Sequence, residues 1–174
     1  MLSKRQDADV SNHSPSAHVR DLALAVFETN GRLVDTGNAL VRPIGLTTAW
    51  WQVLGALGYS PYPLPVAHIA RNMGLTRQAV QRVVNLLLAN GLVSEQPNPH
   101  HQRAKLIVLT AVGRAALAGA ERAVAPLDQA ILDQIGADRI VAAVAVLREM
   151  NAVIADSLSP TADPAARSTP KDSA

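Results

Sequence analysis

The stretch from Val66 to Thr110 reads VAHIARNMGLTRQAVQRVVNLLLANGLVSEQPNPHHQRAKLIVLT, and it decides the fold. Its first half holds two short amphipathic segments, and its second half holds two apolar runs around a loop rich in proline, asparagine and histidine. Apolar residues spaced by three and four indicate helices, whereas short β-type runs flanking turn residues indicate a hairpin. The order helix, turn, helix, strand, loop, strand predicts a winged helix-turn-helix.

The two helices are predicted on either side of Gly74. The first has apolar residues at i, i+3, i+4 and i+7 between Val66 and Met73. Glycine adopts a positive φ without steric strain, which suits the tight turn between the helices. Thr76 is placed to cap the second helix, because its hydroxyl can accept a hydrogen bond from an early amide. The recognition helix is therefore predicted over residues 76–90.

The outer face of the recognition helix carries glutamine, arginine and asparagine instead of alternating acids and bases. These side chains have the donors and acceptors that pair with base edges, although an ordinary solvated face is the alternative from these residues alone. The loop over residues 97–104 is polar and basic, which suits a wing that reaches a phosphate or a narrow minor groove. The predicted DNA-contacting residues are Thr76, Arg77, Gln78, Gln81, Arg82, Asn85, His101, Arg103 and Lys105.

Positive charge is concentrated in the same stretch. Between Val66 and Thr110 there are five lysines and arginines against one acid, Glu95, whereas the whole chain has a net charge of +2. A basic patch confined to one structural unit is the electrostatic footprint of a nucleic-acid binder. Double-stranded DNA is therefore the favoured partner.

Four short motifs resemble the MarR family of bacterial transcription regulators: LTRQAV at 75–80, NGLV at 90–93, RAK at 103–105, and LT at 109–110 followed by Gly113. The resemblance covers residues 46–117. It implies a homodimeric repressor that binds a palindromic operator, with the recognition helix in the major groove and the wing arginine in the minor groove. The family's wing commonly carries Asp-x-Arg, and here His101 stands in place of the acid before Arg103.

The regions that flank the lobe are predicted to be helical and to form a dimerisation layer. A helix starting at His18 is expected to end before Pro43, since the residue preceding a proline disfavours the α conformation. A later helix is expected to start with Thr110 as its cap and to bend or break at Pro126, and Asp138 is expected to cap the last one. Two long apolar helices need a cover, which favours a C2 dimer. The predicted regions are an N-terminal tail (1–16), a dimerisation helix (17–45), the DNA-binding lobe (46–110), C-terminal dimerisation helices (111–158) and a C-terminal tail (159–174).

The N-terminal tail contains Lys4 and Arg5. A DNA-contacting arm is one interpretation of these two residues, and a plain polar tail is the favoured one. Both tails are rich in small and polar residues, which cannot form a core of their own.

Four of the five aromatic residues lie between Trp50 and Tyr62. The family resemblance implies a pocket for a small aromatic effector near the junction of the dimer layer and the DNA-binding lobe, with Trp50, Tyr59 and Tyr62 as candidates. Packing at the hinge is the favoured alternative for these side chains. Trp51 is in register with Leu54 on the predicted second helix, so it is assigned to the core and Trp50 is left outside it.

No arrangement of residues suggests catalysis or metal binding. The chain has no cysteine, which excludes a disulfide, a thiolate zinc site and a cysteine redox switch within it. The five histidines lie in a tail, at a helix start, on a helix face and at the loop tip, and no nucleophile, phosphate-binding or metalloprotease motif occurs. A metal site is one interpretation of the adjacent His100 and His101, and a structural or DNA-contacting role is the favoured one, because neighbouring residues rarely chelate one ion well. We therefore predict a regulator that is not an enzyme and needs no cofactor or metal. No apolar run reaches the ~18 residues of a membrane span and no signal sequence is evident, so a cytoplasmic location is expected.

A winged helix that acts as a protein-interaction or scaffold module, without specific DNA binding, is the second hypothesis, because a fold alone does not determine function. The two hypotheses differ in salt dependence. Binding through several phosphates weakens steeply as salt rises, whereas an apolar protein contact does not.

Overall fold

The computed structural model describes residues 14–101 and 103–157, which form a mainly helical chain with one small sheet. Lys4, Arg5 and the C-terminal tail lie outside the described residues. The elements are α1 (Pro15–Val41), a 3-10 turn (Arg42–Ile44), α2 (Thr48–Gly58), β1 (Leu64–Pro65), α3 (Val66–Asn72), α4 (Arg77–Ala89), β2 (Val93–Gln96), β3 (Leu106–Leu109), α5 (Ala111–Ile135) and α6 (Ala137–Ser157).

Helix α1 begins at Pro15, three residues before the predicted start at His18. Proline is well suited to the first turn of a helix, because its missing N–H would have no partner there. The helix continues without interruption through Gly31 to Val41 and ends before Pro43, as predicted.

Helix α2 is fixed against α1 by a buried threonine. The hydroxyl of Thr47 accepts a hydrogen bond from the amide of Trp50 at 3.2 Å, so Thr47 is the cap. The amide of the buried Thr48 donates to Oδ1 of Asn38 at 2.8 Å, and its hydroxyl donates to the carbonyl of Val34 at 3.0 Å. The amide and the hydroxyl of Thr48 therefore each have a partner on α1, as buried polar groups require.

Helices α3 and α4 form the predicted helix-turn-helix. Gly74 has a φ of +62°, and the hydroxyl of Thr76 accepts a hydrogen bond from the amide of Ala79 at 3.2 Å. Both the turn residue and the cap are confirmed. One stripe of α4 faces the core, which leaves its opposite side exposed to solvent. The buried residues of α4 are Val80, Val84 and Leu87.

The sheet has three antiparallel strands in the order β1-β3-β2, whereas the sequence pattern predicted only the two strands of the wing. The register places Glu95 on β2 opposite Ile107 on β3. Strand β1 has two residues, one of them Pro65, so it has no alternating pattern that a sequence could reveal. Proline is tolerated there because β1 is an edge strand. Pro65 is also the N-cap of α3.

The core lies where α2, α3, α4 and the sheet meet, and its largest fully buried side chains include Leu54, Ile69 and Ile107. Trp50 and Trp51 are both half buried and both pack against this core. The predicted contrast between Trp51 inside and Trp50 outside is therefore wrong. The reason is that α2 contacts α1, α3, α4 and β3, so two side chains about 100° apart on it can both be covered.

Helix α5 begins directly after the wing. The hydroxyl of Thr110 accepts a hydrogen bond from the amide of Gly113 at 3.0 Å, so the predicted cap is confirmed. The break expected at Pro126 is not observed, because α5 continues through it to Ile135. A proline removes one intrahelical hydrogen bond and can kink a helix without ending it. Within the described residues, those up to Pro126 form one compact unit and those from Leu127 form a second.

Helix α6 begins at Ala137, so Asp138 lies in its first turn and is not the cap. An acid in this position still interacts favourably with the positive end of the helix dipole. No residue of α6 is buried. None of the helices in the described part of the chain is long and apolar enough to cross a membrane.

Candidate nucleic-acid interface

The side of α4 that faces away from the core is exposed and polar. Thr76, Arg77, Gln78, Arg82 and Asn85 are exposed, and Gln81 is half buried. Thr76 caps the helix, so the first free amides of α4 and the guanidinium of Arg77 lie at the same end. Helix N-termini attract phosphate through these amides and the helix dipole.

Two hydrogen bonds order the polar side chains of α4. The Nε2 amide of Gln81 donates to Oδ1 of Asn85 at 2.9 Å, one turn further along. The Nε atom of Arg82 donates to the carbonyl of Gln78 at 3.4 Å, a long contact that draws the guanidinium towards the start of the helix. Both bonds leave further donors on the same face for another partner.

The tip of the wing is built from two consecutive backbone turns. The amide of His101 donates to the carbonyl of Asn98 at 3.3 Å, and the amide of Ala104 donates to the carbonyl of His101 at 3.0 Å. The side chain of Asn98 also accepts from the amide of His100 at 3.0 Å. Main-chain hydrogen bonds thus shape this loop. His101 lies at the position where the resemblance implies an aspartate, and its backbone groups take part in both turns. Arg103 is exposed, and its side chain makes no hydrogen bond or ion pair with any described residue.

A cleft of about 360 Å³ lies between α3, the start of α4 and the wing. Four arginines and lysines and two histidines line it, against one acid. The register of the sheet explains why this acid lies in the cleft. Glu95 stands opposite Ile107, which also lines the cleft, so the two side chains lie on the same side of the sheet. The charged and polar residues of this cationic cleft are His68, Arg71, Arg77, Gln81, Glu95, His101, Arg103 and Lys105.

The fold brings five of the nine predicted DNA-contacting residues into the cationic cleft. Those five are Arg77, Gln81, His101, Arg103 and Lys105. The other four, Thr76, Gln78, Arg82 and Asn85, belong to α4 or its cap but do not line the cleft.

The predicted DNA-contacting residues did not include the two α3 residues of the cleft, His68 and Arg71. These residues lie three positions apart, which puts them on one side of α3 next to the wing. That spacing is the sequence signal for their shared face. The sequence identified Glu95 only as the single acid of the stretch. Its place in the cleft depends on the register of the sheet, which the sequence pattern did not give.

A second cavity of about 650 Å³ lies beside α1, α2 and the turn between α3 and α4. Tyr59 and Trp51 line it, together with Leu33, Met73 and other residues. Two of the three predicted effector residues are not part of its lining: Trp50 packs against the core, and Tyr62 is 75% exposed. The described residues contain no group of three histidine, cysteine or acidic side chains that could hold a metal ion.

The sequence of this chain matches known proteins. The model of the MarR family matches residues 44–104, which include α2, the helix-turn-helix and the wing up to Ala104. The chain is 41% identical over 110 residues to the protein Rv2011c of Mycobacterium tuberculosis, a match that covers 63% of this chain and 76% of that one. The chain belongs to the MarR family. The predicted resemblance and fold class are confirmed, as is the prediction of a regulator that is not an enzyme.

Two further proteins bear on function. The chain is 28% identical over 116 residues to the transcriptional activatory protein BadR of Rhodopseudomonas palustris, covering 66% of each chain. The transcriptional repressor CouR bound to a 23-mer DNA duplex matches with a TM-score of 0.65 at 25% identity, over 81% of this chain and 99% of that one. CouR bound to p-coumaroyl-CoA matches with a TM-score of 0.61 at 27% identity, over 75% and 91% of the two chains.

Proposed function

We propose that this MarR-family regulator is a homodimeric repressor that binds a palindromic operator in double-stranded DNA and is released by a small aromatic effector. The observation that carries the proposal is the cationic cleft, in which four arginines and lysines from α3, α4 and the wing converge beside the exposed face of α4. Convergence of these charges suits a polyanion. A scaffold module that binds an apolar protein segment would not need such a cluster of cations.

In the proposed complex α4 enters the major groove and the wing follows the minor groove. The two copies of α4 in a dimer would lie about 34 Å apart to reach successive major grooves. Arginine is attracted to a narrow minor groove by its enhanced negative potential, and this is the role assigned to Arg103. Gln78, Gln81 and Arg82 are assigned to bases, and Lys105 to phosphate. The proposed interface is completed by the remaining predicted contacts, which are Arg77, Thr76, Asn85 and His101.

Exposed apolar side chains on α1, and separately on α6, support a homodimer. Among the residues that the structure describes, eighteen large apolar side chains are exposed, five of them on α1 and five on α6. Phe27 on α1 is 72% exposed. Exposed apolar residues in such numbers mark an interaction surface. A second copy of the chain is the occupant we propose, because a symmetric dimer provides the two half-site contacts that a palindrome needs.

The cavity beside α1 and α2 is the proposed effector site. Its volume of about 650 Å³ falls within the range of small-molecule sites, and its lining combines Trp51 and Tyr59 with apolar side chains and the polar Asn30 and Gln52. CouR has been solved with p-coumaroyl-CoA, so a protein of similar fold accepts an aromatic acyl group. The cavity adjoins the turn before α4, so an effector that fits one position of that turn better than another would shift DNA binding.

The experiment that tests this function is fluorescence anisotropy of the full chain with DNA from upstream of its own gene, across a salt series. Neutralisation of eight DNA charges by the four cleft cations of two protomers corresponds to a slope of about −7 in log K against log salt. We expect selective binding with a slope of several units. Binding that is unselective and nearly independent of salt would contradict the proposal and favour the protein-interaction module. A reporter gene behind the same DNA then distinguishes repression, as named for CouR, from activation, as named for BadR.

A further inference from the structure

Gln81 and Asn85 are joined by a hydrogen bond on the exposed face of α4. The Nε2 group of Gln81 donates to Oδ1 of Asn85 at 2.9 Å. We propose that Asn85 is a positioning residue, which orients the carboxamide of Gln81 so that Gln81 reads an adenine in the operator. This inference rests on the proposed DNA binding and names the base that one side chain recognises.

The hydrogen bond changes what Gln81 can offer to a base. A free glutamine amide has two N–H donors and one oxygen acceptor. With one donor engaged by Asn85, one N–H donor and the acceptor Oε1 remain. Adenine presents one acceptor, N7, and one donor, N6, in the major groove, whereas guanine presents two acceptors, N7 and O6. One donor and one acceptor therefore match adenine, and they leave one acceptor of guanine without a partner.

The surroundings of the two side chains differ in a way that suits these roles. Gln81 is half buried and lines the cationic cleft together with Arg77 and Arg103, so it lies among the cations that would hold the DNA. Asn85 is exposed and does not line the cleft. A long side chain such as glutamine loses rotamer freedom when it binds, and a side chain already held in place loses less. Asn85 thus favours recognition by holding Gln81 in one orientation.

The chain contains a matched pair that separates this role from ordinary helix stabilisation. On α5 the Nε2 group of Gln129 donates to Oδ1 of Asp133 at 2.7 Å, with the same spacing of four residues. Such pairs modestly stabilise a helix wherever they occur. Only the pair on α4 lies on the face proposed to meet DNA, so only its loss should change base preference.

The test is selection of randomised DNA by the full chain, followed by anisotropy on operators with adenine or guanine at the selected position. The wild type should prefer adenine by about tenfold, as for one bidentate contact. Gln81→Ala and Asn85→Ala should both lose most of this preference. Asn85→Asp retains an acceptor for the Gln81 amide, so it should keep the preference while binding all DNA more weakly, because its charge repels phosphate. Asp133→Ala should leave the preference unchanged.

Two results would overturn the inference while leaving the proposed function intact. One is selective binding by the wild type with an adenine preference that Asn85→Ala retains in full. The other is loss of the preference in Asn85→Asp, since that variant keeps the acceptor. A wild-type protein that selects no DNA at all would overturn the proposed function, and the inference with it. Circular dichroism of each variant shows that a changed preference does not come from unfolding.

Discussion

The phenolic hydroxyl of Tyr59, which follows the last residue of α2, donates a hydrogen bond of 2.8 Å to Oε1 of Glu121 on α5. The ring of Tyr59 also lies over Gly55, where an added Cβ would stand 3.2 Å from ring carbon Cε2. Because Tyr59 lines the proposed effector cavity, this bond joins a wall of the cavity to the helix that follows the wing. A ligand that displaces the ring would break it.

Tyr59→Phe should therefore lower the free energy of unfolding slightly, by about 0.5–1 kcal/mol, as for one hydrogen bond on the surface. It should also weaken the release of DNA by an effector, because the bond that joins the cavity wall to α5 is then missing. The control is Tyr62→Phe, because the Tyr62 hydroxyl makes no hydrogen bond with a described residue. Urea denaturation and anisotropy with effector measure the two quantities. Identical behaviour of both variants would show that the bond to Glu121 has no role.

Arg103→Ala should weaken operator binding about tenfold or more without unfolding the dimer, since Arg103 is exposed and holds no other described side chain. Loss of one cationic contact in each protomer should also reduce the salt slope by about two units. Arg139→Ala, which removes an exposed arginine from the first turn of α6, is the control and should leave both quantities unchanged. Anisotropy across a salt series makes the comparison, and unchanged affinity in Arg103→Ala would remove its assigned role.

Gly113→Ala should be strongly destabilising. A Cβ at this position would collide with the carbonyl oxygen of Leu92, a main-chain atom that cannot rotate away. Overpacking of this kind lowers the free energy of unfolding by about 1–3 kcal/mol. Gly119→Ala on the same helix is the control, because its Cβ would meet the side chain of Ile44 at an ordinary 3.5 Å. Replacing that helical glycine should stabilise by about 0.5–1 kcal/mol. Urea denaturation measures the free energy of unfolding of both variants. A change in the same direction for the two would refute the packing argument.

The adjacent tryptophans allow the effector cavity to be located by fluorescence. Trp51 lines the cavity and Trp50 does not, although both are half buried. A small aromatic carboxylate such as benzoate that binds there should change the tryptophan emission of the wild type and of Trp50→Phe. Trp51→Phe should lose the change. If the response survives in Trp51→Phe, the ligand binds at another place.

Phe27→Lys distinguishes a monomer from a dimer. In a monomer the substitution would be harmless, because Phe27 is already exposed. In the proposed dimer it would place a charge in an apolar interface, and we expect the dissociation constant of the dimer to rise by at least about tenfold. Val112→Lys on α5 is the control at a similarly exposed apolar residue. Sedimentation velocity measures both. An unchanged monomer fraction in Phe27→Lys would exclude this part of α1 from the interface.

Local patterns in the sequence were enough to predict the helix-turn-helix and the wing. The turn at Gly74 and the caps at Thr76 and Thr110 were identified from residue type and spacing, and each is confirmed by a φ value or a hydrogen bond. These features depend on interactions within a few residues of the chain, so a window of sequence contains all the necessary information. The concentration of positive charge is likewise a property of composition.

The tertiary structure alone decided which distant residues meet. It placed β1 beside β3, two strands more than 40 residues apart along the chain, and it brought His68 and Arg71 next to Arg103. It also turned Trp51, rather than Trp50, towards the cavity. Such neighbours depend on strand register and on the packing of several elements at once. A helical or strand period fixes which face of an element is apolar, but it does not specify what covers that face.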